Sequence, residues 1–216
     1  MNKNPMKSLP DKTVERLSQY RRALLNCLEN NKIHIFSHEL AGLIHITPVQ
    51  VRRDIMLIGY SGTLRKGYDV QELIQLIGRI IDMEQALKVC VVGVGNLGRA
   101  IIRYFKGKRT KLSITACFDI SPEKFKSTYS GVPCFPIGQL ASIIKEQDIS
   151  IAILTVPGEV AASVADDLVK DGIKGIINYT PTPINVGPDV YLGEYDMITS
   201  LEKAAYFVKI NKESIP

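Results

Sequence analysis

From Thr13 to Asn30 apolar side chains return every three or four positions, at Val14, Leu17, Leu24, Leu25 and Leu28, which is the period of an amphipathic helix. A short second helix follows in HELAGLI, with Ser37 as the expected N-cap. After the break HIT, Thr47-Pro48-Val49-Gln50 has the T-x-x-Q spacing of a capping box, with proline at the first helical position. That third helix runs through QVRRDIMLI to Gly59. YSGTLRKGY then sets Gly62 and Gly67 around two cations, which reads as a glycine-flanked hairpin. Short helix, tight turn, capped helix and basic hairpin together predict a winged helix-turn-helix. VQELIQLIGRIIDMEQA, residues 70 to 86, is a further amphipathic helix that bridges to the rest of the chain.

From Lys88 onward the period changes. LKVCVVGV, SITACFD, ISIAILTVP and KGIINY are apolar runs of strand length. Between them lie helical stretches: NLGRAIIRYF, residues 137 to 146, and EVAASVADDLVKD. Strands alternating with helices of this length predict a parallel, doubly wound α/β sheet with helices on both faces. A last amphipathic helix, ITSLEKAAYFVKI, ends the chain. The expected organisation is a winged-helix domain over 1–86, a Rossmann-like domain over 87–194 and a C-terminal helical segment over 195–216.

Charge sharpens this division. The 216 residues carry a net +5, yet residues 1 to 68 alone hold 11 Lys and Arg against 5 Asp and Glu, a net of +6, and the remainder holds 16 against 17. The basic excess therefore lies in the first third, as expected of a segment facing a polyanion or of a solvated basic surface. The 45% hydrophobic and 23% charged shares are those of an ordinary globular protein. No apolar run is long enough to span a membrane, and MNKNPMKSLPDK lacks the apolar core of a signal peptide, so a cytoplasmic protein is expected. Four scattered cysteines, with no CxxC pair, offer neither a disulfide framework nor a zinc site.

Candidate chemistry centres on VVGVGNLGRAI, where Gly93, Gly95 and Gly98 form G-x-G-x-x-G between a strand and a helix. The residues between the glycines, Val94, Asn96 and Leu97, belong to the same loop, whose amides would face a pyrophosphate. Asp119 ends the second strand 21 residues past Gly98, where a carboxylate accepts hydrogen bonds from the adenosine ribose. It would repel a 2′-phosphate, and no arginine follows it, so NAD is favoured over NADP. Thr155-Val156-Pro157 and Asn178-Tyr179-Thr180-Pro181 end the next two strands on the rim where the nicotinamide would lie, or serve only as turns. All three histidines, His34, His38 and His45, precede residue 68, and no metal site is expected. The nucleotide module thus lacks histidine for acid–base work, and no catalytic residue is assigned.

In the first module Gln50, Arg52 and Arg53 fall on the third helix, and such side chains suit acceptors and donors on major-groove base edges. Thr47 and the helix-start amides would hold a phosphate, and Arg65 and Lys66 at the hairpin tip would reach a neighbouring minor groove.

TPVQVRRDI, GYSGT, GVGNLG, TVP, KGIINYTP and EYDMITSLEKAAYF, in this order, resemble the bacterial redox-sensing transcriptional repressors of the Rex family over nearly the whole chain. The resemblance implies a homodimer on palindromic double-stranded operator DNA, released by NADH and permitted by NAD+. It further implies that the final helix packs into the partner subunit and that Tyr104 lies by the nicotinamide. Arg22 and Asp196 would form an ion pair across subunits in the released state. Two stretches depart from the family pattern: FGxFGKRGVGY becomes IGYSGTLRKGY, and Asn-Phe-Ala-Pro becomes Asn178-Tyr179-Thr180-Pro181. The rival readings are a small NAD-dependent oxidoreductase with a basic appendage, and a DNA-binding regulator that senses another ligand such as a CoA thioester or NADP.

Overall fold

The computed structural model describes residues 9–63, 65–82, 85–107 and 111–213. Met83 and Glu84 of the expected bridging helix, Leu64 of the expected hairpin and the outermost ends of the first and last expected segments lie outside them. The chain divides into two compact units, one up to residue 84 and one from residue 85, and the C-terminal helix belongs to the second.

In the first unit α1 (Asp11–Glu29) is followed by β1 (His34–Ile35), α2 (Ser37–Ile44), α3 (Pro48–Leu57), β2 (Tyr68–Asp69) and α4 (Val70–Ile81). Leu17, Tyr20 and Leu24 of α1 are fully buried with Leu40, Val51, Ile55, Leu73 and Ile77 from the other helices. Ser37 is not the cap that the sequence suggested. Helix α2 already begins at Ser37, and Glu39 instead accepts a 2.8 Å hydrogen bond from the amide of Phe36. His45 closes α2 in the left-handed region at φ 57°, which makes the tight turn into α3. The hairpin is anchored on both sides: β1 pairs antiparallel with β2, and Thr63 and Gly67 exchange two 2.8 Å backbone hydrogen bonds. Gly67 sits at φ +74°, and a Cβ there would lie 2.5 Å from the Ile35 carbonyl oxygen, so only glycine fits.

The second unit contains β3 (Leu87–Val92), α5 (Asn96–Phe105), β4 (Leu112–Asp119), β5 (Thr128–Tyr129), β6 (Val132–Pro136), α6 (Leu140–Gln147), β7 (Ile149–Leu154), α7 (Gly158–Lys170), β8 (Gly175–Asn178), β9 (Tyr191–Glu194) and α8 (Met197–Glu213). The sheet has seven strands in the order β5-β6-β4-β3-β7-β8-β9, against the four read from the sequence. All neighbours are parallel except β5 and β6. The chain winds outward from β3 in one direction and then from β7 in the other, so the order reverses between these two strands. Such a reversal opens a crevice at their carboxyl ends. One buried cluster gathers Cys90, Phe118 and Leu154 with α6 and α7, and another packs Val91, Cys117 and Ile153 with Ile102 of α5.

Candidate nucleotide and DNA sites

Strand β3 delivers the chain to the crevice, and the glycine loop turns there. Gly93 has φ +95°, and a Cβ on it would meet the Thr155 carbonyl oxygen at 2.6 Å. A Cβ on Gly98 would run into the Gly93 carbonyl oxygen, which fixes how closely α5 approaches the strand. At Gly95 a Cβ would meet nothing within 4 Å, so this face of the loop is open. Two glycines are thus required by the protein itself, while the third borders free space at a helix N-terminus. That is the cradle a pyrophosphate needs, and the loop fits a dinucleotide.

Asp119 closes the loop from β4. Its Oδ2 accepts from the Val94 amide at 2.7 Å and from Lys124 Nζ at 2.8 Å, and its Oδ1 accepts from the Ser121 amide at 3.0 Å. Burial alone would push its carboxyl up, but the Lys124 bond, then the Ser121 and Val94 amides, outweigh burial and hold it below the usual carboxylate range. Sequence reasoning missed two cations here. Lys124 is one; Arg99 is the other, an exposed residue that bonds Asn96 Oδ1 at 2.8 Å and the Gly95 carbonyl at 3.2 Å beside the loop. A search for any cation within one helical turn of the loop would have found Arg99. Lys124 becomes visible only when the turn after β4 folds back.

Thr155, Asn178 and Thr180 have their side chains committed within the protein. Thr155 Oγ1 donates to the Gly93 carbonyl at 2.6 Å, so it braces the loop from below. Asn178 is buried; its Oδ1 accepts from the amide and hydroxyl of Thr180, and its Nδ2 donates to the Thr182 carbonyl at 2.9 Å. Tyr179 stacks on Tyr195 with ring centroids 5.2 Å apart and planes 19° off parallel. Val156 and Pro157 carry the chain from β7 into α7. Tyr104 lies eight residues beyond Asn96 on α5, about 12 Å along the axis at 1.5 Å per residue. It is 62% exposed. Asp196 caps α8, accepting from the amides of Ile198 and Thr199 and from the Thr199 hydroxyl at 2.6 Å. Arg22 is exposed on α1.

In the first unit Thr47 is the N-cap of α3, accepting from the Gln50 amide at 3.2 Å, with Pro48 in the first turn. The reciprocal half of the expected capping box is absent, because the Gln50 side chain turns the other way and donates to Asp54 Oδ1 at 2.9 Å. Asp54 is the hub that sequence reading missed. It is 2% exposed and also accepts from Arg16 Nε at 2.6 Å, Arg16 Nη2 at 2.9 Å and the Tyr20 hydroxyl at 2.8 Å. Burial opposes its charge, but the bonds from Arg16, Tyr20 and Gln50 prevail and keep the carboxyl below its ordinary value. Helix α3 is therefore clamped to α1 through an ion pair. Arg52 and Arg53 are exposed, and Arg52 reaches Ser37 Oγ at 3.0 Å. Arg65 and Lys66 are exposed at the hairpin tip, where the Lys66 amide donates to Thr63 Oγ1. A cleft of roughly 310 Å³ opens between α3 and the hairpin, lined by Phe36, Arg52, Met56, Tyr60 and Gly62 among others.

Among the described residues no cluster of His, Cys, Asp and Glu fits a metal ion, and no helix is long and apolar enough to cross a membrane. All four cysteines are free. Burial pushes the Cys90 thiol up to about 12, as expected of an inert core residue.

Comparison with known proteins covers both units. Residues 8–55 match the family described as "Putative DNA-binding protein N-terminus", and residues 84–182 match the CoA binding domain family. The chain is 36% identical over 201 residues to the redox-sensing transcriptional repressor Rex of Levilactobacillus brevis, covering 93% of this chain and 95% of that one. It is 36% identical over 208 residues to the protein of the same name from Limosilactobacillus fermentum, covering 96% of each. Among solved structures it is similar to RSP in complex with beta-NAD+ and operator DNA, at 29% identity and a TM-score of 0.86, over 97% of this chain and 100% of that one. RSP in complex with beta-NADH gives 29% identity and a TM-score of 0.84, over 95% and 97% of the two chains.

Proposed function

This chain belongs to the Rex family of redox-sensing transcriptional repressors, and from that premise we propose that it binds operator DNA as a homodimer and leaves it when NADH occupies the glycine-loop crevice. The similarity to a repressor solved with beta-NAD+ and operator DNA carries this reading, because it runs through both units of the chain. The cradle at Gly95 and the carboxylate of Asp119 support a dinucleotide; the exposed cations of α3 and the hairpin support a duplex. The nucleotide is read rather than reacted. Its oxidation state selects between two arrangements of the protein, and no residue takes a proton or a hydride.

In this reading the loop amides and Arg99 hold the pyrophosphate and Asp119 holds the adenosine ribose. The nicotinamide lies towards the Thr155-Val156-Pro157 and Asn178-Tyr179-Thr180 rim. Tyr104, two turns down α5, lies by the nicotinamide. Helix α8 supports the second subunit. Met197, Ile198, Leu201, Tyr206, Phe207 and Val208 are all more than half exposed, an apolar surface that a lone chain leaves in water. Asp196 at its start pairs with Arg22 of the partner in the released state. Thr47, Arg52, Arg53, Arg65 and Lys66 meet the duplex, with Gln50 presented from Asp54. The protein works in the cytoplasm, where the nucleotide pool and the operator are both at hand.

Fluorescence anisotropy of labelled promoter fragments tests this directly. DNA bound by the protein is released on adding NADH and stays bound with NAD+. A complex indifferent to NADH contradicts the redox reading, and turnover of a substrate would favour the oxidoreductase alternative.

A further inference from the structure

Strands β8 and β9 are parallel and in register, so Asn178 and Glu194 end them side by side at the edge of the sheet. Each is followed by a tyrosine. Neighbouring strands lie about 4.8 Å apart, which is also close to the separation of stacked rings. Tyr179 and Tyr195 accordingly stack, with centroids 5.2 Å apart and planes 19° off parallel. Their backbones are fixed beneath the rings: the Tyr179 amide donates to the Leu154 carbonyl at 3.0 Å, and the Tyr195 amide donates to the Asn178 carbonyl at 2.9 Å. Gly193 leaves room for the second ring, since a Cβ there would lie 3.5 Å from Cε2 of Tyr195 and 3.1 Å from Cδ1 of Ile177.

The two rings have different surroundings. Tyr179 is partly buried and packs on the cluster of Val91, Cys117 and Ile153, whereas Tyr195 is 51% exposed. The stack, rather than the core, is therefore what seats Tyr195. One peptide bond joins Tyr195 to Asp196, which caps α8 through the Ile198 and Thr199 amides and the Thr199 hydroxyl. On the other side, Tyr179 belongs to the rim at the carboxyl end of β8, where such a sheet meets its ligands. The Asn178 and Thr180 side chains of that rim are bonded to each other at 2.8 Å, so an occupant of the rim acts on the ring between them.

Resting on the nucleotide reading above, we infer that Tyr195 is a positioning residue that couples the nicotinamide end of the crevice to the start of α8. Tyr195 touches no nucleotide. A nicotinamide at the rim sets the Tyr179 ring, the stack sets Tyr195, and the next peptide sets Asp196 and the first turn of α8. Coupling of this kind runs through contiguous packed side chains that both sites bias. An aromatic pair shifts an equilibrium constant by about two- to tenfold, so the stack supplies part of the NADH response and not the whole of it.

Fluorescence anisotropy of labelled promoter DNA, with and without saturating NADH, tests this on the full-length wild type, Tyr195→Ala and Tyr195→Phe. The ratio of the two dissociation constants is the coupling factor. Calorimetry gives NADH binding to the DNA-free protein, and light scattering reports the dimer. Tyr195→Ala is expected to stay dimeric and to keep both separate affinities within about threefold, while the coupling factor falls at least about threefold. NADH then binds the operator complex more tightly than in wild type. Tyr195→Phe, which keeps the ring and loses only the hydroxyl, retains the wild-type factor. A smaller fall in Tyr195→Ala, or an equal fall in Tyr195→Phe, overturns the inference. Loss of the dimer or of either separate affinity in Tyr195→Ala also overturns it, by making Tyr195 a structural residue. Operator binding that ignores NADH defeats the parent reading together with this one, and shows in the wild-type titration alone.

Discussion

Asp54 is the residue on which the DNA-binding unit turns. It is a buried charge with an arginine, a tyrosine and a glutamine around it, and removing one member of such a group strands the rest. Asp54→Ala is expected to cost about 3 kcal/mol, read from the urea midpoint of the first unit's transition. The pH dependence has a definite sign. The Asp54 carboxyl lies below its unfolded value, so its contribution is complete above about pH 4 and fades as the pH falls through the lower folded value. Urea melts of wild type and Asp54→Asn should therefore differ most at neutral pH and converge in acid; a gap that widens in acid contradicts the assignment. Gln50 was legible in the sequence as a polar residue on α3, but its partner was not. An acidic residue among apolar neighbours looks like a surface charge until α1 brings Arg16 and Tyr20 against it.

At the scale of elements, the helices with strong caps and clear period were readable and the outer strands were not. Helix α3 starts where Thr47-Pro48 places it. Strand β6 escaped because Val132–Pro136 contains two prolines, which normally argue against a strand in the middle of a sheet. Strand β9 is only four residues and includes Gly193. The glycine loop was fully legible, since its spacing is a local steric demand, whereas Lys124 depends on a fold-back that no period reports. The hairpin is an element whose geometry allows little change. Gly67→Ala is expected to cost about 1–3 kcal/mol through strain at positive φ, and to weaken operator binding with NADH affinity unchanged. Equal losses at both ligands would show that the hairpin is not a separate DNA-facing device. Helix α8 makes a complementary prediction: ending the chain after Tyr195 should give a monomer by light scattering, and a dimer surviving this truncation would place the interface elsewhere.

For the whole molecule, the net +6 of residues 1 to 68 lies in the stretch that carries α3, and the nucleotide crevice lies in the second unit. Arg52→Ala should weaken operator binding and relax its sequence preference, while leaving NADH affinity in place. Asp119→Ala should blunt NADH-driven release and spare DNA binding. Coupling between the two sites is a free energy shared by both ligands. Whatever factor NADH removes from operator affinity, operator must remove from NADH affinity, and such couplings are about 1–3 kcal/mol. The most direct measurement is therefore the NADH dissociation constant of the dimer, taken free and again saturated with operator DNA. The account predicts weaker NADH binding on the operator, by the same factor that NADH weakens the operator complex and by more than any change for NAD+. An NADH dissociation constant that operator DNA leaves unchanged would contradict it.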